Sequence, residues 1–121
     1  MSFFRITDLI FLSNDSAEEV LIKNKKISTF VLVNDQNDIN FNREIGVVGC
    51  NPIQVDTEDK KIYDKNLDKV ATDISWGYVV CIVYRNSKQL NFSKKFITEL
   101  LRKCVGFTSV EARTIVEERC K

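Results

Sequence analysis

The chain has 121 residues, with 18 basic and 17 acidic side chains, four cysteines, one proline and no histidine. That length suits one compact domain over residues 1–121, and 44% hydrophobic with 29% charged residues is an ordinary globular composition, neither disordered nor membrane-embedded. Without histidine, Ser-His-Asp and Cys-His catalysis and His-ligated metal sites are excluded. Four glycines form no phosphate-cradling GxGxxG or Walker-type loop, and a formal charge of +1 argues against a bulk pull on nucleic acid.

Isoleucine, lysine and asparagine total 34 residues against 14 for alanine, glycine, proline and arginine. That is the codon signature of an AT-rich genome and makes a phage or viral accessory protein an expectation. The acid Asp8 and the short apolar run Leu9–Leu12 argue against an export signal or a membrane segment. Cys50, Cys81, Cys104 and Cys120 form no CxxC pair. They read as reduced, mostly buried thiols of a cytoplasmic protein.

In chain order, Phe3–Leu12 is apolar and ambiguous between strand and short helix, and Asn14-Asp15-Ser16 marks a turn. Val20-Leu21-Ile22, Asn24-Lys25-Lys26 and Ile27–Val33 predict strand, tight turn and strand. Ile39–Val48 is a third candidate strand, expected to end at Gly49-Cys50-Asn51-Pro52 because proline cannot donate to a ladder. From Thr57 to Ile74, Tyr63, Leu67, Val70, Ala71 and Ile74 form one helical stripe, with Asp56 or Thr57 as N-cap. Tyr78–Tyr84 is a nearly continuous apolar run, which predicts a central strand buried on both faces. Arg85-Asn86-Ser87-Lys88 reads as a turn. Asn91 or Ser93 then caps a helix burying Phe96, Ile97, Leu100, Leu101 and Cys104. Gly106 ends it, and Thr108 or Ser109, with Glu111, opens a second helix with inner face Ala112, Ile115, Val116 and Cys120. The predicted fold class is α+β: a largely antiparallel sheet packed against a central helix and a C-terminal helical hairpin.

Cys81, Cys104 and Cys120 lie on apolar faces and read as core; Cys50, in its Gly-Asn-Pro loop, is the one candidate for a reactive thiol. Asp56, Glu58 and Asp59 are explained by helix capping, and Lys61, Lys65 and Lys69, interleaved with Asp64 and Asp68, by a solvated face. No residue pattern implies a cofactor, a metal or a catalytic group. The charge is uneven, however. Residues 85–121 hold nine basic and four acidic side chains, a net of +5 that leaves −4 on residues 1–84.

The stretch Ile97–Glu117, through Gly106, Glu111, Ala112, Val116 and Glu117, resembles the helix–turn–helix part of the ribosomal stalk protein C-terminal domain. With the preceding strand it also resembles the Clp protease adaptor fold. The stalk resemblance implies that Arg102 and Arg113 take the place of cations that bind translation factors. The residues together predict a small cytoplasmic protein-binding module of adaptor or inhibitor type. Its contact surface for an acidic protein partner would be Arg85, Lys94, Lys95, Arg102, Phe107 and Arg113. The alternative is nucleic-acid binding through the same basic hairpin, although Arg102 stands where a DNA-reading helix–turn–helix wants a small residue.

Overall fold

The computed structural model describes residues 2–33, 51–55 and 60–120. The elements are β1 (Phe3–Arg5), β2 (Ile10–Ser13), α1 (Ala17–Lys23), β3 (Ile27–Val33), β4 (Asn51–Val55), α2 (Lys60–Ser75), β5 (Val79–Val83), α3 (Ser87–Cys104) and α4 (Ser109–Arg119). One sheet runs in the order β1-β2-β5-β3-β4. The α+β class stands, and the central helix and C-terminal hairpin cover the sheet as expected. The sheet itself is mixed: β2–β5, β5–β3 and β3–β4 are parallel and only β1–β2 is antiparallel.

The reason lies in Ser16. Its Oγ accepts the Glu19 amide at 3.3 Å and caps α1, so Val20-Leu21-Ile22 is helical rather than a strand. The chain therefore crosses over after β2 through a helix, and β3 enters parallel to its neighbours instead of folding back as a hairpin. Pro52 lies inside β4, not at a strand end. β4 takes the outer position of the described order, the kind of strand in which proline is tolerated. The candidate strand Ile39–Val48, the Asp56 and Thr57 caps and Cys50 lie outside the described residues.

β5 is the predicted central strand, and alternation along it divides the core. Val80, Ile82 and Tyr84 join Ile10, Leu12 and Val31 on the face covered by α2, α3 and α4, where Leu67, Val70, Phe96, Ile97, Leu100, Leu101, Ala112 and Val116 are buried. Val79, Cys81 and Val83 join Phe11, Phe30 and Leu32 on the other face, closed by Val20 of α1. The three-layer arrangement explains why β5 reads as an unbroken apolar run: both of its faces are dry.

Glycine punctuates the helical layer at two places. Gly77, at φ +86°, ends α2 while its amide donates to the Ile74 carbonyl at 3.0 Å, and Gly106, at φ +76°, follows α3. Thr108 then starts α4 with a full capping box: its Oγ1 accepts the Glu111 amide, and Glu111 Oε1 accepts the Thr108 amide, each at 3.2 Å. α3 begins earlier than the apolar pattern indicates. Asn86 is its N-cap, accepting the Gln89 amide at 2.9 Å, whereas Ser93 is buried in mid-helix with its hydroxyl donating to the Gln89 carbonyl.

Among the described residues no helix is long and apolar enough to cross a membrane. Phe96 is fully buried at the centre of the helical layer, whereas Val110 is 71% exposed. Phe96→Ala is expected to lower unfolding free energy by about 3–5 kcal/mol and Val110→Ala by less than about 0.5 kcal/mol. Urea denaturation of the two variants beside the wild type measures both.

Candidate functional site

The carboxyl ends of β2 and β5 lie side by side, with Ser13 in register with Val83, and each strand runs directly into a capped helix. In an open sheet of parallel strands this edge is where ligands bind, because strand ends and helix N-termini converge there. After β5 the connection is only three residues, Tyr84-Arg85-Asn86. Tyr84 turns into the helical layer of the core and Asn86 caps α3. The Gln89 amide is used by that cap. The Ser87 and Lys88 amides, at the positive end of an 18-residue helix, are left as its free first-turn donors among the described residues.

Arg85 clasps the two junctions together. Its Nη1 donates to the Asn14 carbonyl at 2.9 Å and the Asp15 carbonyl at 3.4 Å, and its amide donates to Gln89 Oε1 at 2.6 Å. Asp15 is buried beneath this clasp. Its amide donates to Ser13 Oγ at 3.0 Å, and Oδ2 receives the Lys23 ammonium at 2.6 Å. Lys23 Nζ sits 5.2 Å above the Phe3 ring, which stacks on Phe11. Asp15 Oδ1 is buried with no hydrogen-bond partner among the described residues.

Cys81 stands two residues before the end of β5 and is wholly enclosed in the α1-side core. Burial pushes its thiol far above the ordinary range, and the negative charge of Asp15 adds to the effect. It is a packing residue and supplies no thiolate near neutral pH. Cys104 and Cys120, half-buried, are also held up by burial, opposed by Lys103 and Lys94 respectively.

The residues singled out from the sequence separate into two groups. Lys94, Lys95, Arg102 and Arg113 come together along a groove of about 340 Å³ between α3 and α4, with Thr98, Glu99, Ser109, Val116 and Glu117. Arg85 does not join them; it belongs to the strand–helix clasp. Phe107 is half-buried and packs against the core beside the α3–α4 turn. The α2 face of Lys61, Asp64, Lys65, Asp68 and Lys69 is exposed as expected, and on it Asp68 pairs with Lys103 of α3. Beside that pair, Tyr63 donates its hydroxyl to Glu99 Oε2 at 2.6 Å and meets Phe92 and Phe96 edge-on.

No protein-family model and no curated protein sequence matches the chain. Solved structures do. Human DUSP28 superposes with a TM-score of 0.71 at 16% identity, covering 98% of this chain and 82% of its own. Tk-PTP matches in a point-mutant form (TM-score 0.71, 15% identity) and in its active form (0.65, 14%), with the same 98% coverage of this chain. The fold is therefore that of the dual-specificity and protein tyrosine phosphatases. At such low identity it is the fold that is shared.

This corrects the resemblance to the ribosomal stalk domain and the Clp adaptor. Of the matching residues, Gly106 takes the left-handed conformation after α3, Glu111 completes the Thr108 capping box, and Ala112 and Val116 are buried helix-face positions. Any well-capped helical hairpin carries the same signals. The adaptor or inhibitor module, its nucleic-acid-binding alternative and the phage or viral accessory role are overturned with it. Nearly the whole chain superposes on phosphatases, one of them human.

Three outcomes test this geometry. Alkylation followed by mass spectrometry is expected to leave Cys81 unmodified in the native protein and to label it on unfolding. Arg85→Ala, which removes charge-assisted bonds to two carbonyls, is expected to destabilise by about 1–3 kcal/mol in denaturant titration. The third concerns pH. Burial first, then the bond to Glu99, raise the Tyr63 phenol, so the native state keeps its proton when the unfolded chain has lost it. The resulting stabilisation is complete below an unfolded pKa of about 10 and is lost as pH rises above it. Thermal melts across alkaline pH are expected to fall more steeply for the wild type than for Tyr63→Phe.

Proposed function

We propose that this chain is a phosphatase-like protein that recognises a phosphate monoester at the start of α3 and does not use Cys81 to hydrolyse it. The observation carrying this reading is the strand–helix junction at the centre of a phosphatase fold. There the first amides of α3 face outward from the carboxyl edge of the sheet, while the nearest thiol is sealed in the core. Helix N-termini bind phosphate through such amides and the helix dipole, and Lys88 in the same turn adds positive charge. Thiol-based phosphoryl transfer needs more: an exposed, low-pKa sulfur beside the bound phosphorus. A three-residue connection with Tyr84 buried and Asn86 spent as a cap gives Cys81 no route to such a position. A cytoplasmic setting fits the three free thiols of the described residues.

Titration of the isotopically labelled protein with O-phosphotyrosine tests recognition. The Ser87 and Lys88 amide resonances are expected to shift saturably, and tyrosine without the phosphate to leave them in place. Absence of those shifts removes the assigned site. Hydrolysis of p-nitrophenyl phosphate tests the second half. Equal rates for wild type and Cys81→Ser are expected, and a rate abolished by Cys81→Ser would restore a catalytic thiol.

A further inference from the structure

The α3–α4 groove is separate from the start of α3 and has no part in the function just proposed. Its walls are two helical ridges. Lys94, Thr98 and Arg102 recur at four-residue spacing on α3, with Lys95 beside them. Ser109, Arg113 and Glu117 do the same on α4, over a floor provided by buried Val116. None of the four cations makes an ion pair or side-chain hydrogen bond among the described residues, although Lys103, on the same helix but outside the groove, is paired with Asp68. Of the two acids in the lining, Glu99 already commits one oxygen to the Tyr63 hydroxyl. Four cations against the two carboxylates Glu99 and Glu117 leave the lining a net charge of +2, which the groove focuses between low-dielectric helix walls.

We infer that this groove is a binding site for a compact polyanion carrying two or three phosphoryl groups. Two guanidinium forks can each grip a phosphoryl group through paired N–H donors, the lysines add point charge, and the Ser109 hydroxyl lies at the same mouth. The volume, about 340 Å³, is that of a small-molecule pocket rather than of an extended interface. The surroundings favour a compact ligand too. Beyond the groove α4 presents Glu111 and Glu118, exposed, so an anionic polymer laid along this helix meets carboxylates on leaving the four cations.

Isothermal titration with inorganic tripolyphosphate measures the site. Arg102→Gln/Arg113→Gln removes two groove charges, and Lys103→Gln/Arg119→Gln removes two from the same helices outside it. The wild type is expected to bind one equivalent. The groove variant is expected to bind at least tenfold more weakly, and the charge-matched variant within twofold of the wild type. Equal weakening in both variants would mean that only net charge matters and would overturn the site. So would sulfate competing as well as tripolyphosphate at matched ionic strength. Tighter binding of a polyglutamate peptide or a single-stranded oligonucleotide than of tripolyphosphate would overturn the compact-ligand assignment. O-phosphotyrosine shifts at Ser87 and Lys88, retained in the groove variant, keep this result distinct from that of the proposed α3 site.

Discussion

The double burial of β5 is the constraint on which the rest of the structure depends. Its five residues are at most 7% exposed, and it bonds to parallel strands on both sides. A strand so placed cannot turn its backbone donors and acceptors to water, so they are met by the ladders with β2 and β3, the second interrupted by one irregularity between Ile27 and Thr29. The side chains must then alternate between two separate hydrophobic layers. That demand fixes α1 on one face and α2, α3 and α4 on the other, and it seals Cys81 into the core as a consequence of its odd-numbered position along the strand. The same alternation sends Tyr84 the other way and leaves Arg85 at the rim, where it reaches across to the β2–α1 junction.

Much of this was legible from residues alone. The apolar run Tyr78–Tyr84 announces a central strand, the stripe Tyr63, Leu67, Val70, Ala71 and Ile74 announces α2, and Thr108 or Ser109 with Glu111 announces the start of α4. The sense of the sheet was not, and the reason is specific. Val20-Leu21-Ile22 is β-branched or aliphatic enough to pass for a strand, whereas Ser16 and Glu19 form the Ser-x-x-Glu signature of a helix start. Apolar content alone favours a strand there, and the cap prevails in the fold. Asn86 and Gln89 carried a related signal for α3, hidden because Arg85-Asn86-Ser87-Lys88 has the polarity of a turn.

Charge was legible only in bulk. The excess of cations beyond residue 84 is real, but counting cannot separate a cation that is committed from one that is free. Arg85 holds carbonyls and Lys103 holds Asp68, while Lys94, Lys95, Arg102 and Arg113 converge. Such distinctions arise from tertiary juxtaposition: α3 and α4 must meet before their ridges make a groove. Sequence spacing can place residues on one helix face and no further. The phosphatase fold was illegible for a similar reason, because at 14–16% identity what is shared is the packing of elements and not a run of residues.

The position of β5 also orders the assembly of the chain in time. Its partners in the sheet, β2 and β3, are synthesised some fifty to seventy residues before it. Until it arrives they have no common neighbour, and each presents an apolar edge ready to pair with another strand. Closing the sheet requires long-range contacts of high sequence separation, which slow folding relative to a helical protein of the same length. A nascent chain at that stage is exposed to association with its own kind, and release from the hazard comes only when the centre of the sheet is threaded.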